Sequence, residues 1–107
     1  MPVDPALWAG LVALADPVRL RIILMLRERE QCVCRLTEEL GLSQGTVSHH
    51  MSILKRAGLV RDRRDPDDSR WTYYALDASS VAYLQESLRS LLDTSHTDRT
   101  PASCREA

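Results

Sequence analysis

Cys32-Val33-Cys34, followed by Arg35, is the part of this 107-residue chain best equipped for chemistry. The pair stands just before residues 36–40, an apolar-polar stretch that reads as a short helix. A thiol at a helix N-terminus is stabilised as thiolate by the helix dipole, and the Arg35 guanidinium adds positive charge beside it. Two thiolates two residues apart begin a site for a soft, thiophilic ion. In a regular helix, residues i and i+2 point about 200° apart. One ion therefore gathers both sulfurs only where the segment is not helical, and binding is expected to strain the helix that follows. The plainer alternative is cysteine as a small buried hydrophobe. A third cysteine, Cys104, lies eleven residues past Asp93. An extended chain of that length spans about 35–40 Å, so Cys104 is within reach as a third ligand to its own protomer or to another. It reads equally well as an idle thiol.

A second group of side chains is built for hydrogen bonding. Ser43 is an N-cap, and Val47, Met51 and Leu54 then recur at i, i+4 and i+7 as one apolar stripe. Gly58 closes that helix. Gln44, Thr46, Ser48 and His49 lie off the stripe, on the first turns. With residues 36–40 and the turn Gly41-Leu42-Ser43, this makes a helix-turn-helix. Its second helix is suited to offer donors and acceptors to base edges in the major groove. Residues 59–64 and 71–76 read as two strands joined by a turn-rich segment, a wing after the recognition helix. Net charge is -1 over the whole chain. Residues 44–64 nonetheless carry Lys55, Arg56, Arg61, Arg63 and Arg64 against Asp62 alone, a local footprint for phosphates. Arg70 joins them from the wing. Asp65, Asp67 and Asp68 at the wing tip would repel phosphate, so the arms of the wing are expected to face DNA. The plain reading of the charges is an ordinary solvated face. Trp71, Thr72, Tyr73 and Tyr74 read as packing.

Three further helices must position these groups. The first spans residues 5–14, with Leu7, Leu11 and Leu14 on one side. Asp16 as N-cap and Pro17 at the first helical position start the second, which runs to about Arg29. Leu20, Ile23, Leu24 and Leu26 give it an apolar side, and Arg19, Arg21, Arg27 and Glu28 a wet one. Asp77 caps a last helix to about Asp93, in which Val81, Leu84, Leu88 and Leu91 form a heptad-like seam. That seam suits a second helix across a dimer, or the chain's own core. Residues 94–107 are polar, contain Pro101, lack periodicity and read as a mobile tail. The expected organisation is one domain over residues 1–93 and a tail over 94–107. Its class is mainly α with a small β-hairpin, a winged helix-turn-helix.

Several classes are excluded. An odd cysteine count without secretory signals argues against a disulfide framework and for a reduced, cytoplasmic protein. The apolar run at residues 6–15 lacks a preceding basic residue and is too short to cross a bilayer. His49 and His50 sit on the recognition helix, and no Ser/His/Asp set, phosphate loop or closed metal quartet can be assigned. Catalysis is not expected.

Asp16-Pro17-Val18-Arg19-Leu20, Cys32-Val33-Cys34, Ser43-Gln44, Val47-Ser48-His49-His50-Met51, Leu54, Ala57-Gly58-Leu59-Val60 and Trp71-Thr72-Tyr73-Tyr74 resemble the ArsR/SmtB family of winged-helix repressors. The resemblance covers residues 11–92. It implies a homodimer joined through the first and last helices, here at Leu7, Leu11, Leu84, Leu88 and Leu91. It also implies a repressor that leaves operator DNA when trivalent arsenic or antimony, As(III) or Sb(III), binds cysteine thiolates. In the arsenic-sensing branch the segment is Cys-x-Cys-x-x-Cys. Cys32 and Cys34 match its first two positions and Thr37 stands at the third, so the segment lacks a third sulfur of its own, and Cys104 stays open as that ligand or as an idle thiol. Some members bind zinc on the last helix through acids and histidines; Asp77, Ser79, Ser90 and Asp93 lack both histidines, so no such site is expected. Cadmium, lead or zinc as inducer, oxidation of the cysteines, and a winged helix that binds protein instead of DNA are the competing readings.

Overall fold

The computed structural model describes residues 2–104. Among them the chain forms α1 (Pro5–Leu14), α2 (Pro17–Glu28), β1 (Gln31–Cys32), α3 (Val33–Leu40), α4 (Gln44–Arg56), β2 (Val60–Arg64), β3 (Thr72–Leu76) and α5 (Ala78–Leu91). Each helix begins where a side chain can accept from the first-turn amides. Asp4 accepts from Ala6, Asp16 from Val18 and Arg19, Ser43 from Thr46, and Asp77 from Ser80. Pro5 and Pro17 occupy first helical positions, where no amide is needed. Gly41 (φ 66°) and Gly58 (φ 81°) end α3 and α4 in the left-handed region, which a side chain would oppose.

The stripe of α4 is the centre of the core: Val47, Met51 and Leu54 are buried together with Ile22, Leu26, Leu36 and Leu40. The phase of α2 differs from the sequence expectation. Leu26 is buried and Ile23 half-buried as expected, but Ile22 faces inward as well, whereas Leu20 and Leu24 are 48% and 52% exposed. Arg19, expected on the wet side, lies one turn before Ile22 on the inward face, and its side chain is only 12% exposed. Leu20 and Leu24 have the same helical spacing as Ile22 and Leu26. Packing of α2 against α1, α4 and β3 chooses between the two pairs.

The strands form one antiparallel sheet in the order β1-β3-β2. The wing is therefore a hairpin with a third, two-residue strand added to its β3 edge. Gln31 pairs with Tyr74 and Cys32 with Tyr73. Arg63 also pairs with Tyr73, from the other side. At the far end of the molecule α5 packs on α1. There Leu84 is buried, and the Tyr83 hydroxyl donates to the Asp4 carboxylate.

Candidate thiol site and nucleic-acid interface

Cys32 is both the last residue of β1 and the N-cap of α3, with extended backbone (φ -76°, ψ 157°). Cys34 sits in the first turn of α3. The 200° divergence applies to two helical residues, and Cys32 is not one. Its extended backbone brings both sulfurs to the same side of the chain, where they are joined as a disulfide with Cα atoms 5.3 Å apart. That separation is ordinary for a disulfide. The expectation that a disulfide is absent is corrected accordingly, whereas the condition that both sulfurs converge only where the segment is not helical is met at Cys32. The Cys32 sulfur also acts as the cap, accepting from the Arg35 amide at 3.2 Å. Arg35 turns its guanidinium to Glu38 and Glu39, at 3.6 and 3.3 Å. Its charge is thus already matched, which weakens its expected pull on the thiols.

Thr37 donates its hydroxyl to the Cys34 carbonyl at 2.8 Å. Cys34 and Thr37 share a cleft of about 260 Å³ with Gln44 of α4 and with Arg70, Trp71 and Thr72 of the wing. The thiol segment therefore borders both the recognition helix and the wing. Cys104 is exposed and unbonded to another cysteine. Among the described residues, no three His, Cys, Asp or Glu side chains converge where an ion could sit. Reduced to thiolates, the two sulfurs would fit a thiophilic centre; among the described residues no third is brought to them. Residues 93–104 are all exposed and form no α-helix or strand, and residues 105–107 of the expected tail lie outside the described residues.

On α4, Gln44, Thr46, Ser48 and His49 are exposed, and Thr46 is tied into the cap by a 2.9 Å bond from the Ser43 hydroxyl. His50, the next residue, contacts Arg19. The basic side chains are less free than their count suggests. Lys55 pairs with Asp62 at 3.0 Å, Arg63 with Glu30 through bonds of 2.6 and 3.0 Å, and Arg70 with Asp68 at 2.7 Å. Arg64 donates to the Ser69 carbonyl at 2.7 Å and Arg56 to the Ser52 carbonyl at 3.4 Å. The Arg63 guanidinium also lies 4.7 Å over the Tyr73 ring. Tyr73, read as packing, therefore also holds the Arg63 cation. The acidic wing tip has an internal use. Asp65 accepts from the amides of Asp67 and Asp68 and from the Tyr73 hydroxyl, while Arg70 holds the Asp68 carboxyl below the usual carboxylate range.

Of the residues on the first and last helices, Leu7 and Leu84 are buried within the single chain and Leu11 and Leu88 are partly buried. Leu91 and Leu92 are 59% and 67% exposed, and on α1 Trp8 and Val12 are 63% and 44% exposed. The chain's own core thus leaves large apolar side chains uncovered on both helices.

Residues 16–62 match the family described as bacterial regulatory protein, arsR family. The arsenic resistance transcriptional regulator ArsR1 of Pseudomonas putida is 37% identical over 95 residues, which cover 88% of this chain and 72% of that protein. The HTH-type transcriptional repressor SmtB of Mycobacterium tuberculosis is 50% identical over 72 residues. That match covers 67% of this chain and 51% of the relative, so the chain spans about half of its length. A crystal structure described as a "possible transcriptional regulator for arsenical resistance" superposes with a TM-score of 0.70 at 33% identity, over 79% of this chain and 85% of that one. Five helices, a three-stranded wing sheet and these relatives agree: the chain belongs to the ArsR/SmtB family of winged helix-turn-helix, DNA-binding transcriptional regulators and is not an enzyme.

Proposed function

We propose that the chain is a homodimeric repressor that holds operator DNA and leaves it when trivalent arsenic or antimony is bound by the thiolates of Cys32 and Cys34. The observation that carries this reading is the double membership of Cys32, in the wing sheet through Tyr73 and in the cap of α3 through the Arg35 amide. Trivalent arsenic supplies a centre that bonds several sulfurs at once. It binds only the reduced pair, and sulfurs sharing one centre are fixed roughly 3–4 Å apart, by analogy with zinc–thiolate distances, where two free thiols are not. Cys32 then moves relative to Arg35 and to β3, and the movement reaches the first turn of α3 and the wing together. A coupling of about 1–3 kcal/mol is typical of such linkage and corresponds to roughly 5- to 150-fold weaker operator binding. Cys104 supplies a third sulfur from the exposed tail and adds affinity.

On the DNA side, Gln44, Thr46, Ser48 and His49 read base edges, while Lys55, Arg56, Arg63, Arg64 and Arg70 contact phosphates. Two copies pair through the exposed apolar side chains of α1 and α5, placing their recognition helices about 10–11 bp apart. The site of action is the cytoplasm, where thiols are kept reduced. Among the described residues, no helix is long and apolar enough to cross a membrane.

A second reading is favoured by the Cys32–Cys34 disulfide itself. Here an oxidant such as a peroxide takes two electrons and two protons from the thiol pair, and the closed bond is the signal. Operator binding followed by fluorescence anisotropy separates the readings. Reduced protein is titrated with arsenite, antimonite, cadmium and zinc, and in parallel with peroxide. Release by arsenite or antimonite supports the first reading. Release by cadmium or zinc alone keeps the site and changes the element, and release by peroxide alone transfers the function to oxidation. Retention under all five overturns the thiol switch.

A further inference from the structure

Arg19 spans three helices. Its Nε donates to the Ala13 carbonyl at 2.5 Å and its Nη2 to the Val12 carbonyl at 3.4 Å, both at the end of α1. Its Nη1 lies 3.9 Å from the Asp16 carboxylate that caps α2. The same Nη1 is 3.1 Å from Nδ1 of His50 on α4. A guanidinium has only donors, so Nδ1 must accept. An accepting Nδ1 belongs to the neutral imidazole that carries its proton on Nε2. His50 sits beside the buried stripe residues Val47 and Met51, and its neighbour His49 is exposed at the outer surface.

We propose that Arg19 is the positioning residue of the recognition helix: through neutral His50 it ties α4 to the end of α1, and protonation of His50 releases that tie. The inference rests on the DNA-binding reading and adds a control on it. Histidine changes charge between about pH 5 and 8. A protonated His50 has no acceptor to offer Arg19 and meets it as a like charge. The charged and titratable groups around the pair are few. Asp16 and Arg19 face it from α2, His49 adjoins it on α4 with ring centroids 5.7 Å apart, and Arg56 of α4 borders the same cleft as Arg19. From α1 come the carbonyls of Val12 and Ala13. Asp16 remains near Arg19, but its Oδ1 is already engaged by the amides of Val18 and Arg19. Asp16 attracts a charged His50 across space, but that attraction holds α4 to the start of α2 and not to the end of α1.

The test compares operator with random duplex by anisotropy at pH 7.5 and 5.5. For the wild-type protein the preference for operator should fall about tenfold at the lower pH, as expected for loss of one hydrogen bond, while random duplex is held no less tightly. In His50→Gln the amide oxygen accepts from Arg19 without titrating, so the preference should persist. His49 is present in both proteins, and its contribution cancels in the comparison. Arg19→Lys, which cannot reach both α1 and His50, should keep its helical circular dichroism and lose preference at pH 7.5. Equal pH dependence in wild type and His50→Gln would overturn the proposal, and so would a long-range 1H–15N spectrum placing the neutral proton of His50 on Nδ1. A wild-type protein without operator preference at either pH would remove the DNA-binding reading and this inference with it.

Discussion

Cys32 and Tyr73 are partners across the ladder joining β1 to β3, and the side chain of Tyr73 lies under the guanidinium of Arg63 on β2. A cysteine and an arginine of the wing thus occupy one row of a three-stranded sheet, with a single aromatic residue between them. Whatever moves the first strand acts on the wing directly, with no path through the core.

Cys32→Ser and Cys34→Ser should bind operator normally and remain bound when arsenite is added, because one remaining sulfur cannot draw the strand and the cap toward a shared centre. Cys104→Ser should still release, at a higher arsenite concentration, and Thr37→Cys should recover part of that sensitivity. Anisotropy titrations of the variants against arsenite measure all of this. Full release of the Cys32/Cys34 double variant would place the sensor elsewhere.

Replacing Ser48 and His49 together by Ala should reduce discrimination between operator and random duplex, by about 1–3 kcal/mol for each well-formed pairing with a base edge. Both side chains are exposed and neither belongs to the core, so the melting temperature should barely change. Selectivity equal to that of the wild type would show that α4 does not read bases.

Leu91→Glu should yield monomers that keep their fold, since Leu91 is largely exposed in the single chain. Operator affinity should fall with the loss of the second recognition helix. Leu84→Glu should instead unfold the protein, because that side chain is buried between α5 and α1. Light scattering and circular dichroism distinguish the two outcomes, and a Leu91→Glu dimer would exclude this end of α5 from the interface.

Acid should destabilise the fold through its helix caps. The Tyr83 hydroxyl lowers the pKa of Asp4, the Arg19 amide that of Asp16 and the Ser80 amide that of Asp77, all below an ordinary value of 3.8. A carboxyl with a lowered folded-state pKa stabilises fully above its ordinary value, and that contribution disappears as pH falls through the lowered one. Urea midpoints should therefore drop below about pH 4. Asp16→Asn keeps the accepting oxygen without the charge and should show a flatter profile. An identical slope in both proteins would assign the acid sensitivity to other groups.

The features that could be read from the sequence are those fixed by neighbours along the chain. Asp16-Pro17, Ser43, Gly58 and Asp77 mark helix ends by local geometry, and the spacing of Val47, Met51 and Leu54 names the buried face of α4 correctly. What escaped depends on partners far away. A two-residue strand at Gln31–Cys32 has too few residues to show a period and exists only because β3 offers an edge. Arg19 looks solvent-facing until the end of α1 and His50, 31 residues away, are brought to it. The count of charges over residues 44–64 could not include Glu30, which lies 33 residues before Arg63. That Cys32 and Cys34 converge only where the segment is not helical was legible from their spacing; that Cys32 is the non-helical one depends on its pairing with β3.

The carboxylates of Glu30, Asp62 and Asp68 are resident counterions of Arg63, Lys55 and Arg70. A DNA phosphate arriving at any of the three displaces a tethered anion that cannot diffuse away and that afterwards attracts a cation of its own. The ions set free on binding are then fewer than the basic side chains engaged, and the logarithm of affinity should fall less steeply with salt than about 0.9 per phosphate engaged. Glu30→Gln removes one such resident. It should tighten binding to every duplex and steepen that dependence, so that a carboxylate 33 residues from its arginine governs how the regulator responds to ionic strength.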